Sequence, residues 1–227
     1  MTYRSALVVA AHPDDEVLGC GGLMAKLADA GTTVQVAFLA DGVGAREVGQ
    51  PDRDQLVERR AAANAACRIL GAQAPSFGDF PDNRMDSVAL LDIVKAVEAL
   101  IDQHRPDLLL THHAGDVNID HRRLHEAVQS ACRPQTGHPV RTLLFFEVAS
   151  STEWHTPGSS PVFAPNWFED ISRQLDRKLE ALAAYERELR AWPHPRSLKG
   201  VTSLAHWRGA TVGSEAAEAF ILGRRLA

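Results

Sequence analysis

Apolar residues in this chain fall into short unbroken runs separated by longer stretches of helical spacing. Ser5–Ala11 (SALVVAA) is continuous and rich in β-branched residues, the pattern of a strand buried on both faces of a parallel sheet. Leu18–Ala30 follows with Leu23, Leu27 and Ala30 on one helical face and stops at Gly31; Thr32–Ala40 again reads as a strand. The alternation continues through a helix over Asp52–Leu70, a short strand at Pro75–Phe80 and a helix over Ser87–His104. A strand at Asp107–His113, a helical stretch at His121–Cys132 and a strand at Arg141–Val148 complete it. Such alternation predicts an α/β fold, a Rossmann-like, doubly wound, mainly parallel sheet of five strands.

From about Ser150 the pattern changes. Pro157, Pro161 and Pro165 punctuate a polar stretch, a long helix is expected near Ile171–Arg190, and irregular segments follow. No flexible linker intervenes, so residues 1–227 read as one domain, an α/β core over 1–150 with a C-terminal extension, 151–227, packed on it.

Composition narrows the classes of function. With 45% hydrophobic and 23% charged residues the chain can bury one good core. Lys and Arg number 24 against 29 Asp and Glu, a net charge of -5 without a basic stripe, which argues against nucleic acid or an anionic membrane as partner. A small-molecule partner fits better, and a homo-oligomer is compatible. Cys20, Cys67 and Cys132 are odd in number and lack CxxC spacing, so neither a disulfide framework nor a thiolate zinc site is expected. The N-terminal apolar run meets charge at Asp14, too short for a signal core or a membrane span, and the expected location is cytoplasmic.

The sharpest chemical feature is His12-Pro13-Asp14-Asp15-Glu16, where the first strand ends and the first helix begins. That edge of an open α/β sheet is where ligands bind, and charges there are costly unless paired or bound to a metal. Helix capping by Asp14 and Asp15 is the competing account. A second cluster, Thr111–Arg122 (THHAGDVNIDHR), brings Asp116, Asp120 and His121 to the end of the fourth strand. If the first and fourth strands are neighbours, the two clusters share one crevice. Two imidazoles and a carboxylate with an open fourth position make a common catalytic zinc set, which capping does not explain twice over. His125, four residues after His121, imitates a metal-binding helix, but the glutamate of that motif is missing and it is expected on the helix surface.

At this point the chain resembles the PIG-L/LmbE-like N-acetylglucosamine deacetylase family, zinc-dependent enzymes with an AHPDDE-type motif after the first strand and a D-H motif after the fourth. Ala11–Glu16 matches the first motif in full. Ala40-Asp41-Gly42, Arg59, the Phe80-Pro81-Asp82 turn and Ala217-Glu218-Ala219-Phe220 agree further. The resemblance implies that His12, Asp15 and His121 hold one zinc or similar divalent ion and that Asp14 is the general base. It makes Asp120 an orienter of a metal histidine, and gives Arg59 and Asp82, expected to pair, a place near the site or substrate.

Two positions depart from that pattern. Relatives place a histidine three residues before the D-H histidine, where this chain has Asn118, which can hydrogen-bond an oxyanion but cannot deliver a proton. Proton delivery then falls to Asp14 or to another histidine among His113, His155 and His194. His194 is favoured because Pro193 and Pro195 hold it in a fixed loop with Arg196. The second departure is Ala62, where relatives carry a glutamate.

Trp154, Trp167, Trp192 and Trp207 all lie in the C-terminal third and suit either sugar faces or packing of the extension. Ser150–Trp154 and Arg196 offer polar groups, and Arg196 suits a nucleotide-linked or otherwise anionic sugar. The expected reaction is hydrolysis of an N-acetyl group from an amino sugar. Amides of thiol-conjugated sugars or antibiotic precursors, and a metal- or sugar-binding protein without turnover, are the alternatives. A dinucleotide site is disfavoured because the acidic cluster precedes Gly19, Gly21 and Gly22 and no GxGxxG is present.

Overall fold

The computed structural model describes residues 3–40, 42 and 53–226. Asp41 and Asp52, named above in a motif and a helix start, lie outside them. The five runs read as strands form the parallel strands β1 (Ser5–Ala10), β2 (Thr33–Ala40), β3 (Ser76–Phe80), β4 (Leu108–His112) and β5 (Thr142–Phe146). Between them run α1 (Asp15–Asp29), α2 (Arg53–Leu70), α3 (Leu90–His104) and α4 (Ile119–Ala131).

The sheet has seven strands, not the five expected, in the order β3-β2-β1-β4-β5-β7-β6. The extra two, β6 (Trp167–Asp170) and β7 (Ala217–Arg225), come from the C-terminal segment and pair antiparallel, β7 lying between β5 and β6. An antiparallel strand needs no crossover helix, so the strand–helix rhythm that marks the first five does not announce it. The long helix expected near Ile171–Arg190 is instead the short α5 (Leu175–Ala183), followed by a 3-10 turn at Glu186–Glu188. The segment expected to be irregular contains α6 (Leu198–Ala210).

The residues of β1 alternate between two cores. Ala6, Val8 and Ala10 face a cluster with Leu23, Met24, Leu70, Leu182 and Phe220, so α1, α2 and α5 cover one face of the sheet. Leu7, Val9 and Ala11 face Ile93, Val97, Leu124 and Val128 from α3 and α4 on the other. Each fully buried side chain of this size contributes roughly 1.5–3 kcal/mol. Strand order reverses between β1 and β4, which pair with Ala6 opposite Leu108, so the loops after both strands open into one crevice. Among the described residues no helix is long and apolar enough to cross a membrane.

Candidate active site

The two clusters meet at the C-terminal ends of β1 and β4. His12 Nδ1 lies 3.4 Å and His121 Nε2 lies 3.2 Å from the same oxygen, Asp15 Oδ2. Two ligand atoms at about 2.0–2.1 Å from a tetrahedral zinc stand about 3.3–3.4 Å apart, so both spacings fit such an ion. All three residues are buried. His121 Nε2 has no hydrogen-bond partner despite its nearness to Asp15. A buried imidazole nitrogen beside a carboxylate oxygen is a donor pair that suits a divalent cation. Among the described residues, the groups able to hold an ion are this one and His12 with Asp82 and Asp120.

The second group does a different job. His12 Nε2 lies 3.0 Å from Asp120 Oδ2 and 3.1 Å from Asp82 Oδ1. Asp120 is already held by the backbone N–H groups of Asn83, at 2.7 Å, and Met85, at 2.9 Å. With Nε2–H donating to these carboxylates, the Nδ1 lone pair would face Asp15, the orienting contact that metal-bound histidines need. On the other side Asp116 Oδ2 is 3.1 Å from His121 Nδ1. Asp116 also accepts from Thr152 Oγ1 at 2.8 Å, from Ser151 Oγ, and from the Asn118 N–H at 2.8 Å.

The charges follow from these neighbours. Burial lowers the His121 pKa, but Asp15 and Asp116 override it and hold it at about 9. Burial would raise Asp15, yet His121 and His12 keep it well below the usual carboxylate range. Asp14 moves the other way: burial pushes it up to about 6 against the pull of Arg196 and Arg59.

Asp14 has an unusual backbone, φ 105° and ψ -28°, in the left-handed region. A non-glycine residue there costs of order 1–3 kcal/mol. Arg196 Nη1 donates to Asp14 Oδ2 at 3.0 Å and Arg59 Nη2 stands 3.8 Å from Oδ1, itself without a hydrogen-bond partner. Arg59, expected to pair with Asp82, instead donates to the Pro13 carbonyl at 2.7 Å and to Glu188. Asp82 turns to His12 because the Pro81–Arg84 turn brings it beside Asp120.

The remaining candidates are placed as follows. Asn118 is the N-cap of α4, accepting from the Asp120 N–H at 2.8 Å and donating to Asn83 Oδ1 at 3.0 Å. His113 bonds the Pro161 carbonyl, and His155 faces the hydroxyls of Ser159 and Ser160. His194 packs edge-to-face on Trp154, centroids 5.6 Å apart, and its Nδ1 accepts the Arg196 N–H at 3.1 Å. The neutral ring therefore carries its proton on Nε2. Ser150 Oγ accepts from Arg196 Nε at 2.6 Å. Trp167 is partly buried in β6, whereas Trp154, Trp192 and Trp207 are exposed. His125, expected on the surface, is buried and bonds the His112 carbonyl at 2.9 Å, because α4 lays that face on the sheet.

Three neighbours of the site were not singled out from sequence. His112 stacks on His121 with centroids 3.9 Å apart and its Nε2 accepts the Ala11 N–H at 2.9 Å. A histidine closing an otherwise apolar buried strand was its available signal. Tyr185 and Glu188 sit in a charged stretch, YERELR, that reads as solvated surface and carries no such signal.

The chain is similar to known proteins in both sequence and fold. The 1D-myo-inositol 2-acetamido-2-deoxy-alpha-D-glucopyranoside deacetylase of Mycobacteroides abscessus is 27% identical over 233 residues, covering 83% of each chain. The N,N'-diacetylchitobiose deacetylase of Pyrococcus horikoshii has a similar fold, with a TM-score of 0.76 at 19% identity over 97% of this chain and 84% of that one. So does the 4-carboxy-2-hydroxymuconate hydratase of Pseudomonas putida KT2440, with a TM-score of 0.77 at 23% identity over 100% of this chain and 98% of that one. Residues 7–132, more than half of the chain and all of both clusters, match the model of the family described as PIG-L: GlcNAc-PI de-N-acetylase, and the chain belongs to that family.

Proposed function

We propose that the protein is a zinc-dependent hydrolase that removes the N-acetyl group of an amino sugar, releasing acetate and a free amine. The observation that carries this reading is the convergence of His12, Asp15 and His121 at tetrahedral spacing with the carboxylate of Asp14 beside them. Zinc held by those three residues would supply Lewis acidity toward water and the amide carbonyl. Asp14, raised to about 6 yet flanked by two guanidiniums, takes the proton of the attacking water at its carboxylate. The departing nitrogen must then be protonated. Asp14 can return that proton, and His194 Nε2–H is a second donor. Arg196 and the exposed face of Trp154 are the groups that would meet a polar sugar ring or its anionic substituent.

The test is acetate release from a panel of free and nucleotide-linked N-acetylamino sugars, with and without chelator, for the wild type and Asp14→Asn. One divalent ion per chain is expected, with activity lost to chelator and restored by zinc. Asp14→Asn should keep the metal and lower turnover by ~10²–10⁴-fold. Failure to bind zinc would sink the ligand assignment, and undiminished turnover would remove Asp14 from its role. Water addition to an unsaturated tricarboxylate, with no acetate released from any sugar, would move the protein to the hydratase branch of its relatives.

A further inference from the structure

We propose that Tyr185 and Glu188, in the C-terminal segment, are positioning residues that hold Asp14 in its left-handed conformation by clamping the Pro13–Asp14 peptide at both ends. The idea rests on Asp14 being the base, as read above.

The peptide plane is gripped on each side by a buried group. Its N–H, on Asp14, donates to Glu16 Oε2 at 3.0 Å; its carbonyl, on Pro13, accepts from Arg59 Nη2 at 2.7 Å. Neither gripping side chain is held by its own element alone. The second oxygen of Glu16 accepts from Tyr185 Oη at 2.6 Å, and the second Nη of Arg59 donates to Glu188. Tyr185, Glu188, Glu16 and Arg59 are all buried, so these bonds are stronger than they would be on the surface. Glu188 also stands 3.8 Å from Arg196, the other guanidinium on Asp14. Turning the peptide toward an ordinary backbone conformation at Asp14 would break both grips and leave two buried groups unpaired.

The geometry supplies its own rescue. Ala62 lies one turn along α2 from Arg59, and both line a cavity of about 360 Å³ with Glu188. A glutamate at position 62 has room to reach Arg59 as an i, i+3 partner and to replace the carboxylate lost in Glu188→Ala.

The experiment compares wild type, Tyr185→Phe, Glu188→Ala and Glu188→Ala/Ala62→Glu for zinc content, KM and kcat of acetate release. Crystal structures of wild type, Tyr185→Phe and Glu16→Ala accompany it. Both single variants should keep their zinc and their KM, while kcat falls on the order of 10-fold, as for a hydrogen bond felt only through the base. The double variant should recover most of the Glu188→Ala loss. Unchanged kcat in both single variants, or a loss that Ala62→Glu does not restore, overturns the proposal. Should the wild type release no acetate, the reading of Asp14 as base fails, and the structures decide the clamp. A positive φ kept at Asp14 in Glu16→Ala overturns it; a flip to negative φ supports it. If Glu16→Ala does not fold, the isosteric Tyr185→Phe structure is read in the same way.

Discussion

At the residue scale, His194, the proposed proton donor, and Asn118, the expected partner of an oxyanion, are separated by their surroundings. Asn118 spends its amide oxygen on the Asp120 N–H and its amide nitrogen on Asn83. Freeing it for substrate would undo the cap of α4, the helix that carries His121. His194 keeps Nε2–H on the side away from its bond to Arg196. Asn118→Ala should therefore act mainly on stability, lowering it by about 0.5–2 kcal/mol as lost caps do, read from urea denaturation. His194→Ala should lower kcat at constant zinc content. A larger kcat loss in Asn118→Ala would reverse these roles. The same contrast explains what could be read from the chain. His12, Asp14, Asp15 and His121 stand out because charge at the end of an apolar strand demands a reason. Tyr185, Glu188 and the left-handed turn at Asp14 are visible only once distant segments have packed together.

At the scale of elements, α1 is two helical pieces joined at Cys20, whose φ of -148° and ψ of 20° are not helical. The kink frees backbone groups inside the protein, and two buried side chains satisfy them. Glu218 of β7 accepts from the Gly22 and Leu23 N–H groups at 2.8 and 2.7 Å. Lys178 of α5 donates to the Leu18 carbonyl at 2.9 Å and to Glu218 at 2.6 Å. Gly19 sits where a Cβ would fall 2.3 Å from the Phe146 ring, so helix and sheet approach closely just before the bend. Lys178→Met would leave the buried Glu218 carboxylate its two backbone N–H donors but no cation, and a loss of about 3–5 kcal/mol is expected from a denaturant titration. A change below about 1 kcal/mol, the scale of exposed pairs, would mean that water reaches this site. Among the parallel strands β1, β4 and β5 were legible because they are mostly apolar and buried, and β2 and β3 because helical stretches flank them. By contrast, β6 holds Glu169 and Asp170, β7 ends in two arginines, and α6 carries glycines and threonine, so none announces itself.

On the scale of the whole molecule, the C-terminal segment completes the sheet rather than decorating it. Phe220 of β7 reaches into the core shared by α1 and α2, and β7 covers the edge of β5. A chain ending at residue 165 would expose that edge and lose Glu218, and should show no cooperative melt by circular dichroism. A sharp, reversible transition would show instead that the five parallel strands fold alone. This arrangement also sets an order of arrival. As the polypeptide leaves the ribosome, His12, Asp15 and His121 have all emerged before Tyr185, Glu188 and Arg196 exist. On the proposed reading, hydrolytic competence is thus the last property the nascent chain acquires: the side chains that would hold an ion are made first, and those that would position the base are made last.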